Sequence, residues 1–354
     1  MKPAKWIVLF LTVTLVLFIG ILGPVLWIDP FFHYHKPHTD TLTYTMDVDY
    51  QRYLNAGILK QFDFDSLIIG TSLTEFYHAS EAEQVFGGTF AKVPFSGAPW
   101  AEISDNITRA EESRPLRMVI RPLDFRSFGF MNNDYITPDY PMYLYDHNPF
   151  NDIRYLLNKE TLYVTVCTLL DTYRTQKPGI TSFDDYCNWD TVDFNRERAL
   201  GGNTAFPAPE EEHHLSEAER AELLANMEDN IIANAKAFPD TVFYLYIPPY
   251  SIASWGEWYS AGDLPKRFEA EELLINALLP YENIRLFSFA SKTEWTTDLD
   301  NYCDITHYRP ELDSMMLSAM KQGECLLTED NWRSYLAEEN KFYSAYPYGQ
   351  LIGE

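Results

Sequence analysis

The chain of 354 residues carries 27 Lys and Arg against 52 Asp and Glu, a formal net charge of −25. That balance excludes a nucleic-acid binder, whose affinity comes from cations neutralising phosphates, and it excludes electrostatic docking on anionic lipid. With 46% apolar and 22% charged residues the chain folds rather than staying disordered, and its 16% aromatic content serves a core or sugar-stacking faces.

Residues 1–5 hold Lys2 and Lys5 and lead into 6–28 (WIVLFLTVTLVLFIGILGPVLWI), 23 residues without a charge. At 1.5 Å per residue such a run crosses a hydrocarbon core of about 30 Å. A cleavable signal has a shorter apolar core and small residues at its cleavage site, whereas 25–28 here are Val-Leu-Trp-Ile. Lys2 and Lys5 before the run and Asp29 after it predict a single-pass anchor, with residues 1–5 cytoplasmic and the remainder outside the membrane. Residues 29–64 form a polar, aromatic-rich stalk. In it His33, His35 and His38 are read as headgroup-level anchors in preference to a metal site, and no metal or cofactor is expected.

From 65 to 323 short apolar runs alternate with helical patterns. The spacing predicts strands at 66–70, 90–95, 116–123, 241–247 and 283–289. It predicts helices at 74–86, 101–113, 216–238, 268–279 and 310–321. Such alternation specifies a three-layer α/β/α fold around a mainly parallel, about five-stranded sheet, with ligands beyond the carboxyl ends of the strands. An insertion at about 125–214 interrupts the pattern with Tyr135, Tyr140, Tyr143, Tyr145, Trp189 and a short helix near 156–170. It is read either as a lid or substrate platform or as a packed subdomain without a ligand role. Residues 324–354 form a C-terminal tail. Cys167, Cys187, Cys303 and Cys325 permit two disulfides in an oxidising exterior, sequence neighbours pairing, or else remain buried thiols.

The chemistry-bearing residues lie at strand ends. Gly70-Thr71-Ser72 follows the first strand directly, where a serine hydroxyl sits on the sheet's rim and the N-terminus of the next helix can face an oxyanion. Asp304-Ile305-Thr306-His307 follows the last strand; a carboxylate three residues before an imidazole can hold one ring nitrogen and leave the other facing a nucleophile. Each motif alone is also ordinary turn chemistry, the Asp capping a turn and the His packing. Together, at the first and last sheet positions, they predict a Ser-His-Asp triad. Tyr250 and Ser251, after the fourth strand, are placed at the cleft.

LIIGTSLTE, FSGAPW and DITHYRPE resemble the blocks of the SGNH/GDSL hydrolase superfamily, and the preceding anchor resembles its DltD-like and AlgJ-like branch of cell-envelope acyl-transfer proteins. The likeness covers about 65–323 without the insertion. It implies a flavodoxin-like SGNH fold with Ser72 as nucleophile, His307 as general base, Asp304 as its orienting carboxylate, and the Ser72 and Gly97 amides as oxyanion hole. The third block, G-x-N-D, is absent: Arg121-Pro122-Leu123-Asp124-Phe125 stands there, and a carboxylate at Asp124 opposes an oxyanion unless protonated or paired with Arg121. Glu75, Arg121, Asp124 and Tyr250 are the candidate substrate contacts. The resemblance further implies acyl transfer to an envelope polymer or polyol, with a membrane-bound O-acyltransferase as partner. The alternative is a catalytically silent scaffold binding an envelope polysaccharide and a membrane partner.

Overall fold

The computed structural model describes residues 3–44, 46–124, 135–146, 148–175, 182–187, 192–203 and 205–351. Five short runs, each with a mostly or wholly buried core, form the parallel sheet that the alternation predicts. They are β1 (Ser66–Gly70), β2 (Phe90–Pro94), β3 (Met118–Pro122), β4 (Val242–Ile247) and β5 (Ile284–Ser288), in the order β2-β1-β3-β4-β5. The order reverses between β1 and β3, so the loops leaving these two strands diverge there at the carboxyl edge, where a parallel sheet opens its crevice.

Two cations sit inside this apolar sheet, on opposite faces. Lys92 pairs in register with Ile68, which is level with Ile120; Arg121 is one residue on and points the other way. On the first face Lys92 Nζ donates to the Glu75 carbonyl at 2.6 Å, and the Ala79–Phe86 and Pro310–Gln322 helices pack together. On the second face the Arg121 guanidinium donates to Asn230 O at 2.8 Å and Trp100 O at 3.3 Å. Asn230 lies in a π turn (Glu228–Ile232) that interrupts the 216–238 helix expected from its periodicity. A π turn widens the ladder and frees carbonyls, and the guanidinium takes one of them. Burial holds Arg121 down to about 9.

The N-terminal end of the predicted 216–238 helix is as its capping box requires. Ser216 Oγ accepts from Glu219 N–H, and the Glu219 carboxylate accepts from Ser216 N–H. In the C-terminal tail the Trp332–Ala345 helix packs on the Leu264–Leu278 helix. Between these two helices Glu271 and Glu339 are both buried. Burial pushes Glu271 up to about 7, and burial together with the neighbouring Glu271 carboxylate raises Glu339 well above the ordinary glutamate value. A carboxyl whose native pKa is raised supports the fold while protonated, so this contribution is lost as pH rises from the ordinary glutamate range through about 7. Glu339→Gln is expected to raise the melting temperature at pH 8 by a few degrees (about 1–2 kcal/mol) and to leave it little changed at pH 4.5. Thermal melts at the two pH values check this.

The chain divides into two compact units: Met1–Asp63 with Ile136–Tyr186, and Phe64–Tyr135 with Cys187–Glu354, which holds the sheet. Residues of the stalk and the larger part of the described insertion therefore fall in one compact unit. Trp189 and residues 125–134 lie outside the described residues. In the first unit one N-terminal helix, Pro3–Ile28, is long and apolar enough to cross a membrane. Its last turn is built into that unit: Val25 and Ile28 are buried, and the Asp29 carboxylate accepts from Tyr34 N–H (2.6 Å), His35 N–H (2.9 Å) and Tyr155 OH (2.5 Å). Of the three stalk histidines, the His35 and His38 rings lie against each other, 4.6 Å between centroids. His33 reaches Asp152, His35 the Leu26 and Lys36 carbonyls, and the His38 ring stacks on Trp27.

All four cysteines are free thiols, so neither sequence-neighbour disulfide forms. Cys303 points instead at the His307 carbonyl, 3.6 Å from Sγ, and burial with the nearby Asp304 pushes its thiol up to about 12.

Candidate active site

The site is assembled by two turns at the sheet's carboxyl edge. β1 ends at Gly70, whose carbonyl accepts Phe95 N–H at 2.8 Å. A Cβ at Gly70 would lie 2.6–2.7 Å from the Pro122 ring and the Thr74 methyl, so only glycine fits this crossing of β1 and β3. The chain then makes one 3-10 turn, Ser72–Thr74, capped by Thr71 Oγ1 and closed by Glu75 N–H to Ser72 O at 3.0 Å. Here the structure departs from the expected 74–86 helix. The α-helix begins only at Ala79, because Thr74 Oγ1 and Glu75 N–H already close the earlier turn on the Thr71 and Ser72 carbonyls. Ser72 therefore stands at the head of a single turn and draws little from a helix macrodipole.

The second turn follows β5. Tyr302 and Tyr308 form an antiparallel bridge, and Cys303 N–H donates to His307 O at 3.0 Å, closing a small loop around Asp304–Thr306. Within it Asp304 Oδ1 accepts from Thr306 N–H (2.7 Å) and His307 N–H (2.8 Å). Its Oδ2 lies 2.6 Å from His307 Nδ1. Nε2 of the same ring lies 2.7 Å from Ser72 Oγ. An ionised carboxylate only accepts, so Nδ1 carries the ring proton and Nε2 is free to accept from the serine. Burial alone would raise the Asp304 pKa, but the His307 ring and the two amides hold it below the usual aspartate value. Ser72, Asp304 and His307, 235 residues apart at the extremes, are thus brought into one hydrogen-bonded line, half-exposed to solvent.

Gly97 occupies the Phe95–Ala98 turn after β2 with φ +68, where a side chain would be strained, and it is exposed. Among the described residues neither its N–H nor that of Ser72 donates to a protein acceptor. Both amides are available at the carboxyl ends of the adjacent strands β1 and β2.

The remaining candidates hold this geometry together. The Asp124 carboxylate accepts from Thr71 Oγ1 at 2.8 Å and from Tyr250 OH at 2.5 Å, while its carbonyl accepts Trp100 Nε1–H. It is not paired with Arg121, whose guanidinium faces the helix layer and has no exposed surface to offer a substrate. Glu75 is likewise fully buried and accepts from Ser96 Oγ, tying the Gly97 turn to the segment after Ser72. Tyr250 is buried too, so of the four candidate substrate contacts none has more than a sliver of surface. Ser251 Oγ and Ser254 Oγ both donate to Ile305 O, fastening the Asp304–His307 loop to the helix Ile252–Ala261. Thr71 and Ser254 were not expected from the sequence. The S-x-x-S spacing at 251–254 is an N-cap signal, and it locates the helix but not its grip on Ile305. Asp124→Ala is expected to lower stability by about 2–4 kcal/mol by stranding two hydroxyls, and Asp124→Asn by less, since one acceptor oxygen remains. Denaturant titration of both variants checks the order.

No family model and no curated protein matches the chain. Among solved structures it is similar to a Streptococcus pneumonia protein named for platelet activating factor, with 12% identity and a TM-score of 0.39, over 77% of this chain and 90% of that one. At that level neither fold nor activity is carried from one chain to the other.

Proposed function

We propose that the protein is a membrane-anchored serine O-acyltransferase or esterase, acting outside the cytoplasmic membrane on a cell-envelope polymer or polyol, with a membrane-bound O-acyltransferase as its source of acyl groups. The observation that carries the chemistry is the line from Asp304 through His307 to Ser72 Oγ, 2.6 and 2.7 Å long. His307 Nε2 takes the Ser72 proton as Oγ bonds to the acyl carbon. Asp304 keeps the other ring proton in place and offsets the charge of the imidazolium. The tetrahedral oxyanion is met by the Ser72 and Gly97 amides. Collapse breaks the bond to the donor oxygen, which leaves with the proton from His307, and the acyl group rests on Ser72 as an ester. An acceptor hydroxyl then gives its proton to His307, attacks the ester, and restores the serine. Water in that step gives hydrolysis.

The Pro3–Ile28 helix and the burial of its last turn support an anchor over a removed leader, because cleavage there would open the core of the first unit. The full chain, purified in detergent, is tested with a fluorophosphonate probe and the adduct is located by mass spectrometry. Labelling at Ser72, absent in Ser72→Ala, is the expected result. A folded chain that stays unlabelled, alone and in native membranes, would leave the scaffold reading in its place.

A further inference from the structure

The helix Lys159–Thr175 is inside out. Its buried face is Thr161, Val164, Thr165 and Thr168, with Thr165 and Thr172 hydroxyls donating to the carbonyls four residues back. Its outward face carries the large apolar groups: Tyr163 (62% exposed), Val166 (54%), Leu169, Leu170 and Tyr173 (81%). Steps of 3, 4 and 3 from Tyr163 to Tyr173 put them on one stripe. A helix of a water-soluble surface has the opposite arrangement.

Two further observations say what medium this face meets. The helix packs against the Pro3–Ile28 helix within the same compact unit, and the buried residues of that long helix, Val25 and Ile28, are at its C-terminal end. The inside-out helix therefore lies at the level where the apolar span ends. The stripe itself is graded. Aliphatic residues occupy its middle, a tyrosine stands toward each end, and exposed Lys159 and Arg174 flank it. Aliphatic centre, aromatic shoulders and cationic ends are the distribution of a helix lying in a membrane interface, rings at headgroup depth and long cations snorkelling outward. A net charge of −25 opposes attraction to anionic headgroups, so partition of apolar surface is the force left to hold such a contact.

We propose that the 159–175 helix is a second membrane contact, lying flat in the outer boundary of the bilayer beside the end of the N-terminal helix, with lipid acyl chains as its occupant. Ile153 and Leu157, just before this helix in the chain, are also about half exposed. The contact fixes the tilt of this unit against the membrane, which a single spanning helix does not do.

The test is site-specific photo-crosslinking in the full chain, reconstituted in phosphatidylethanolamine and phosphatidylglycerol vesicles. p-Benzoylphenylalanine replaces Tyr163 or Tyr173, ring for ring at exposed positions where folding is undisturbed, and in a reference chain it replaces Glu112, exposed on the sheet unit. Expected is a lipid adduct at both tyrosine positions in at least about fivefold excess over Glu112. Equal yields at the three positions overturn the proposal. So does a native-membrane experiment in which both tyrosine positions attach mainly to protein, which would assign the stripe to a polypeptide partner.

Discussion

His307→Ala is expected to slow fluorophosphonate labelling of Ser72 by about 10³–10⁴-fold without lowering the melting temperature by more than about 2 °C. The serine hydroxyl is a poor nucleophile until a base takes its proton as the new bond forms, and His307 Nε2 is the base within reach, 2.7 Å away. The ring is part-buried at the rim of the sheet unit. Asp304→Asn separates orientation from proton transfer. An amide can turn its NH2 to Nδ1, which leaves Nε2 protonated and pointing a donor at the serine. The loss is expected to approach that of His307→Ala although the imidazole is still present. Asp304 also contributes stability of its own. Its native pKa is lowered, so that contribution is present above the ordinary aspartate value and fades as pH falls through the lowered one; the Asn variant lacks this acid limb. Second-order inactivation rates and melts of the two variants measure both effects.

Gly70→Ala is the larger structural perturbation. The added methyl meets the Pro122 ring at 2.6 Å and the Thr74 methyl at 2.7 Å. Neither can step aside, since Pro122 ends a paired strand and Thr74 is fixed by its bond to the Thr71 carbonyl. Relief requires β1 and β3 to part at the carboxyl edge, at a cost of about 2–4 kcal/mol, and that motion carries Ser72 away from His307. The expected result is a folded but destabilised protein whose labelling falls by at least about 10²-fold. Gly97→Ala offers a contrast: nothing lies within 4 Å of its Cβ position, and the strain of φ +68 is the only penalty. Unfolding curves and labelling rates for the two variants distinguish a steric block from a backbone preference.

These outcomes depend on features that the sequence exposes unevenly. The five strands were readable because a strand covered on both faces is a continuous apolar run, as in Ser66–Gly70. That Ser72, Asp304 and His307 meet is readable because the carboxyl-edge rule gathers strand-end residues at one rim. Arg121 and Glu75 read as substrate contacts for the same reason, and both are buried. A charged residue at a strand end looks available, and only the packing reveals that a π turn or a neighbouring loop consumes it. The helices Gln51–Gln61 and Ile252–Ala261 escaped notice because they are covered on several sides and have no polar stripe to set against an apolar one. The grip of Asp124 on Thr71 and Tyr250 spans 53 and 126 residues, beyond the reach of local spacing.

The first compact unit is written in two instalments, Met1–Asp63 and Ile136–Tyr186, with the first three strands of the sheet unit between them. A ribosome delivers the N-terminal helix long before the helix at 159–175 that packs against it. At 5–20 residues per second the gap between Asp63 and Lys159 is roughly 5–20 s. Throughout that interval the nascent chain holds an open, aromatic-rich surface next to its apolar span while β1 to β3 emerge without β4 and β5. Neither body can close until translation has passed the middle of the chain, so premature termination before 186 leaves both unfinished at once. A chain ordered this way ties its quality control to the later half of synthesis, and a truncated product is marked for proteolysis by the surfaces it cannot cover.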